Sequence, residues 1–194
     1  MILPITTKKI TFPAIINNKA LKKVTMTFIL ILIIIYRPFI QYLVIIREIR
    51  DSDIEKGFLD ALNNLLPPDI NDKGYAKSIL QEIKSNLLHK IYVAEDDSNG
   101  KIAGITTLLI EPKFINKGMK VGYIEDVAVS KDFEGLGIGS KLVTYATNQA
   151  ISIHNCKKVL LYCSAKTRPF YEKLGYKIAE DTVVMKFESL SESR

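Results

Sequence analysis

Residues 123–143, YIEDVAVSKDFEGLGIGSKLV, constrain the fold more than any other part of the chain. A β-branched apolar run ends at Val129, glycines follow at 135, 137 and 139, and an apolar period then begins. Leu142, Val143, Ala146, Ala150 and Ile153 recur at three-to-four spacing, as on a helix packed against a sheet. A strand entering a helix through glycines presents bare backbone N–H groups at the helix start. The helix adds roughly half a positive charge there, so an anionic group, best a pyrophosphate, suits the position. Glycines at this spacing also serve tight turns and close helix–sheet packing. No Gly-Lys-Ser/Thr follows, which excludes a phosphate-binding Walker loop, and the distant acid of a dinucleotide fingerprint is missing.

The remaining body repeats the alternation of strand and helix. YLVIIREIR (42–50) is rich in β-formers, and Ser52 and Glu55 have the spacing of a capping box before a helix through residue 66. Pro67 and Pro68 stop it, and residues 70–88 carry a second helical pattern. Residues 90–111 form two strands about the turn Asp97-Ser98-Asn99-Gly100. KKVLLYCS is a strand, TRPFYEKLG a short helix ended by Gly175, and residues 176–188 read as strands. The order β, α, α, β, β, β, α, β, α, β predicts an α+β (α/β) fold, a mixed sheet flanked by helices and not doubly wound.

Charge and cysteine content narrow the function. The formal charge is +6, but residues 1–43 contain Lys8, Lys9, Lys19, Lys22, Lys23 and Arg37 and no acid. They take six of the 27 basic residues, leaving 21 to balance 21 acids. A neutral body without a basic aromatic stripe argues against nucleic acid as the partner. Cys156 and Cys163 make no disulfide framework, and buried, reduced thiols in a cytoplasmic setting are expected. His89 and His154, each after a helical run, are expected exposed at helix ends, and no metal site is expected.

The basic, apolar extension 1–43 stands apart from a domain spanning 44–194. Residues 24–42 leave two readings, membrane association or a poorly ordered appendage. A span would have to carry Arg37, at about 2.5–3.5 kcal/mol near its centre, while each neighbouring Ile, Leu or Phe returns only about 0.3–0.6 kcal/mol.

The ordered set EDVAV, GLGIG, CKKVLLYCS and FYEKLGY resembles the GNAT superfamily of acyl-coenzyme A-dependent N-acetyltransferases over about residues 44–188. Within it, LLIEPKFI makes the chain most similar to the branch that acetylates glucosamine 6-phosphate. The resemblance implies a largely antiparallel central sheet, acetyl-coenzyme A (acetyl-CoA) as cosubstrate without a metal, an amino-sugar phosphate as acceptor and a homodimer. It implies that Val127, Ala128 and Val129 pair with the pantetheine arm, one N–H polarising the carbonyl. Gly135, Leu136, Gly137, Ile138, Gly139 and Ser140 would grip the pyrophosphate. Tyr171 would hydrogen-bond or protonate the leaving sulfur, with Glu172 and Lys173 beside it on the coenzyme. Glu125 and Asp126 match an acidic pair at the acceptor, and strand alternation sends them to opposite faces, with Ile124, Asp126 and Ala128 sharing one. Lys113, Phe114, Ile115 and Asn116 match a loop enclosing the sugar phosphate, and Lys157 and Lys158 a pair reaching the acceptor, commonly across the dimer.

Four positions depart from the pattern. Glu134 stands where Gln or Arg is usual and is expected to turn to solvent, modestly weakening coenzyme affinity. Tyr162 replaces an acid near the acceptor amine, Leu66 a threonine, and Glu188 a late arginine. The last three lie on the acceptor side. They keep open another small amine or a protein amine as acceptor, or a non-catalytic coenzyme A-binding module.

Overall fold

The apolar runs pair into one five-stranded sheet in the order β1-β2-β3-β4-β5. Its strands are β1 (Val44–Glu48), β2 (His89–Asp96), β3 (Ile102–Pro112), β4 (Lys120–Val129) and β5 (Cys156–Leu161). The computed structural model describes residues 23, 27, 43–65, 72–180 and 185. Neighbouring strands through β4 are antiparallel, and β5 joins β4 in parallel. A parallel neighbour needs a crossover. Here it is α3 (Ile138–Asn148), continued by a π-helical turn at Gln149–Ile153. Helices α1 (Phe58–Asn63) and α2 (Lys73–Ser85) lie between β1 and β2 in sequence, and α4 (Arg168–Lys173) follows β5. The mixed, largely antiparallel sheet with flanking helices is the predicted architecture. Tyr176–Glu180 do not form a strand, and most of the strand expected over 176–188 lies outside the described residues.

The chain divides into two units, Met1–Tyr42 and Leu43–Arg194. In the first, Thr27 Oγ1 donates to the Lys23 carbonyl at 2.8 Å, one helical turn away. The rest of the 24–42 segment, Leu66 and Glu188 lie outside the described residues. Among the described residues no helix is long and apolar enough to cross a membrane.

Each sheet face has its own core. Phe58 and Ala61 of α1 and Leu80 of α2 pack on Ile91, Val93, Ile105 and Ala128. On the other face Val143, Ala146 and Ala150 pack on Tyr92, Leu108, Ile110, Ile124 and Cys156. Gly104 sets how closely the layers meet. A Cβ there would lie 2.8 Å from the Ala128 carbonyl and 3.0 Å from Leu142 Cδ1.

The entry to the first helical region differs from the expected capping box. Asp51–Lys56 is a 3₁₀ turn, separated from α1 by Gly57 at φ 96°. The fully buried Asp53 explains the change, because a carboxylate without water requires partners. Arg47 donates to it at 2.6 and 2.9 Å, and the Arg50 N–H at 2.8 Å. Burial would raise the Asp53 carboxyl, but these bonds outweigh it and hold it below its ordinary value. Arg47 also donates through Nε to Glu95 at 2.6 Å, tying β1 to β2. Glu55 instead pairs with Lys73 and Lys77 of α2 at 2.6 and 3.0 Å. The α2 N-cap is Asp72, whose carboxylate accepts from Gly74 and Tyr75.

Strand β4 also departs from strict alternation. Ile124 and Ala128, expected on one face, belong to opposite cores. Pairing slips between Ile105 and Thr107, and Asp126 takes a left-handed φ of 50°. This is a β-bulge: one additional residue on β4 exchanges the faces and kinks the strand. A left-handed aspartate carries strain, of a kind that gathers at functional sites.

Candidate active site

The bulge lies beside an opening in the sheet. β4 pairs with β5 only as far as Ile124 opposite Leu161, while β4 continues to Val129. The edge of β4 beyond Ile124 therefore has no β5 rungs. A groove of about 650 Å³ lies there, walled by Val127 and Val129 on one side and Thr167, Phe170 and Tyr171 on the other. Gly135, Gly137, Ile138, Gly139 and Ser140 line the same groove.

Gly135 and Gly137 both hold φ 75°, and a Cβ on either would meet no protein atom within 4 Å. Backbone conformation therefore explains both glycines, and the space above them is open. Gly137 is the N-cap of α3, no side chain caps this helix, and Gly137 to Ser140 line the groove. Such a cradle fits a diphosphate. Leu136 is half-buried but does not line the groove.

In the wall of the same groove, the Tyr171 ring meets Phe170 edge-on at 4.9 Å and Tyr176 at 6.1 Å. Tyr176 is anchored by a 2.6 Å hydrogen bond with Thr147 of α3. Burial first, then the potentials of Cys163, Tyr176 and Glu125, push the Tyr171 phenol above its ordinary value. It thus stays protonated at neutral pH, as a hydrogen-bond donor to a developing thiolate must. Glu172 and Lys173 are exposed on α4, and Glu172 pairs with Arg168 at 3.4 Å.

Glu125 and Asp126 do not behave as a simple alternating pair. Glu125 is partly buried, and burial, then the neighbouring Asp126 charge, raise its carboxyl. Asp126 accepts from Thr107 Oγ1 at 3.3 Å. With Thr107 and His89 it lines an apolar cavity of about 220 Å³ beneath α1 and α2. The bulge thus gives two adjacent carboxylates different surroundings, Glu125 partly buried and Asp126 exposed beside Thr107.

The remaining acceptor-side positions are dispersed. Lys113 is paired with Glu111, which also accepts from Tyr123 Oη at 2.9 Å. Phe114 and Ile115 are fully and largely exposed, and Asn116 sits at φ 51° in the β3–β4 loop. Lys157 and Lys158 are exposed on β5, and Tyr162 follows it, 59% exposed. Tyr162, Cys163 and Tyr171 share a second cavity of about 590 Å³ along β5 and α4. Cys156 is buried as expected, but Cys163 is exposed because it lies past the end of β5. His89 starts β2, and His154, after the π turn, is half-buried. Among the described residues no group of three or more His, Cys, Asp or Glu could hold a metal ion.

Glu134 does not simply turn to solvent. Its Oε1 accepts from Asn64 Nδ2 at 2.7 Å, and the same nitrogen donates to the Val129 carbonyl at 2.7 Å. Asn64 carries no motif and lies 70 residues away in the chain, so no local pattern marks it. Thr107, opposite the bulge, is likewise invisible until the strands are in register.

A model of the acetyltransferase (GNAT) family matches residues 57–176. Glucosamine 6-phosphate N-acetyltransferase of Arabidopsis thaliana is 37% identical over 132 residues, 67% of this chain and 87% of that protein. The Trypanosoma brucei brucei enzyme of the same name is 32% identical over 136 residues, 70% and 90% of the two chains. The crystal structure of the Arabidopsis enzyme superposes with a TM-score of 0.68 at 33% identity, covering 75% of this chain and 99% of that one. The split sheet, the glycine-lined helix start and these similarities converge: this chain belongs to the GNAT family of acetyl-CoA-dependent acetyltransferases.

Proposed function

We propose that the chain transfers the acetyl group of acetyl-CoA to the 2-amine of glucosamine 6-phosphate by direct attack in a ternary complex, supplying UDP-N-acetylglucosamine synthesis. One observation carries this reading. One groove along the unpaired β4 edge is lined both by the open glycine cradle and by the phenol of Tyr171, raised above its ordinary pKa. The diphosphate rests on the cradle, and the pantetheine amides bond to the backbone of Val127 to Val129. A β4 N–H polarises the thioester carbonyl.

The uncharged amine attacks the carbonyl carbon, and a carbon–nitrogen bond forms as the carbon–sulfur bond breaks. Glu125 takes the amine proton, directly or through water, and Tyr171 gives its proton to the sulfur. The acceptor assignment rests on the names of the relatives at 30–37% identity. It also has support from a surface that suits a dimer. Phe114 and Ile115 protrude uncovered, as expected if a second copy covers them and helps to enclose the sugar phosphate.

Tyr162 in place of an acid, and Lys113 already paired with Glu111, favour a second reading in which another small amine is the acceptor. Thiol release by the purified full chain with acetyl-CoA separates the two. Glucosamine 6-phosphate should be turned over in preference to glucosamine and to polyamines, and the opposite preference overturns the acceptor. Tyr171→Phe should lower turnover by about 10- to 1000-fold, the range of a general acid, while acetyl-CoA binding is retained. Full-speed turnover by that variant removes Tyr171 from the mechanism.

A further inference from the structure

Glu134 poses an electrostatic problem, since it lines the groove beside the glycines that would receive a diphosphate. A free carboxylate there repels the ligand. The side chain is exposed, yet it is held at 2.7 Å by Asn64 Nδ2. Asn64 is the C-cap of α1, and its own N–H donates to Ala61 at 3.2 Å, so the helix end fixes where the amide can reach. Both hydrogens of that amide are used, the second on the carbonyl of Val129. One side chain therefore joins three parts: the end of α1, the last residue of β4 and the entrance of the glycine loop.

We propose that Asn64 is a positioning residue that latches Glu134 away from the diphosphate and holds the glycine cradle against the end of β4. The proposal rests on the reading of the glycine loop as the diphosphate site, and goes beyond it. The latch makes coenzyme affinity depend on α1, a helix whose other residues pack on β3 and line the apolar cavity containing Asp126. It also makes tolerable an acid at 134 that the cradle by itself would disfavour.

The test is calorimetric binding of acetyl-CoA and of acetyl-pantetheine, which lacks the diphosphate, to the full-length chain at low and high salt. Asn64→Ala releases the carboxylate and should weaken acetyl-CoA binding by about 3- to 10-fold at low salt, allowing for one exposed charge-assisted hydrogen bond. High salt should shrink the loss, because the repulsion is screened. Acetyl-pantetheine binding should not respond to salt in this way. Adding Glu134→Gln to Asn64→Ala should recover most of the affinity, because no charge remains to repel the diphosphate. Asn64→Asp, which keeps the shape but opposes two carboxylates, should lose at least as much as Asn64→Ala. It provides the test if the alanine variant folds poorly.

A loss that Glu134→Gln does not recover, or unchanged affinity in both Asn64 variants, overturns the latch. If the unmodified chain binds acetyl-CoA no better than acetyl-pantetheine, the diphosphate reading has failed first, and the latch falls with it.

Discussion

Glu125 retains its proton to higher pH than an ordinary glutamate because it is partly buried and Asp126 stands next to it. Folding thus favours the protonated form. The associated stability is in place below 4.5, the ordinary value, and is lost as pH rises through the folded value. The same shift bears on catalysis. As the proposed base, Glu125 would set the acidic limb of kcat/KM, and Asp126→Asn removes the repulsion while leaving burial. That limb should move to lower pH in Asp126→Asn and stay in place in Asp126→Glu, as read from pH–rate profiles on the free enzyme. A limb unmoved by Asp126→Asn would show that Glu125 is not the group being titrated. Neither carboxylate's setting follows from composition, since the left-handed angle at Asp126 accompanies a slip in register between β3 and β4.

Among the elements, β3, β4 and α3 meet closely at Gly104. The 2.8 Å approach involves a backbone carbonyl, which cannot step aside like the tip of a long side chain. Gly104→Ala should therefore destabilise the chain by about 1–3 kcal/mol, the usual cost of overpacking, seen as a lower denaturant midpoint with an unchanged slope. An unchanged midpoint would mean that β3 can shift without cost. Elements governed by local chemistry were legible in the chain: the hairpin at Asp97–Gly100, where Asp96 accepts from Ser98 and Asn99, and the apolar period of α3. Elements governed by distant partners were not. The 3₁₀ start depends on Arg47 reaching Asp53, and the bulge on a one-residue excess of β4 over β3. Period-two reasoning fails at such an excess, since every residue beyond it changes face.

For the molecule as a whole, the residues proposed for the coenzyme lie closer together in the chain than those proposed for the acceptor. The cradle uses backbone geometry contained within a few consecutive residues, and its glycines announce it. The positions proposed for the acceptor come from the β3–β4 loop, β4 and β5, and in the proposed enzyme also from a second copy, so no continuous stretch describes them. A protruding Phe114 beside Ile115 fits an interface between copies. Sedimentation should find a dimer, and Phe114→Asp should shift it toward monomer and raise the acceptor KM more than that of acetyl-CoA. A wild-type chain that remains monomeric at working concentration would remove the second copy from the site.

The early parting of β4 from β5 also limits the shape of ligand that can be accommodated. Past Ile124 and the bulge, β4 runs on to Val129 beside a neighbour that has already ended at Leu161. A slender molecule bearing amides along its length can act as the absent strand, whereas a compact one would leave that edge unanswered. In the proposed enzyme, selection for acyl carriers of this shape would therefore begin with the parting of two strands, before any side chain takes part.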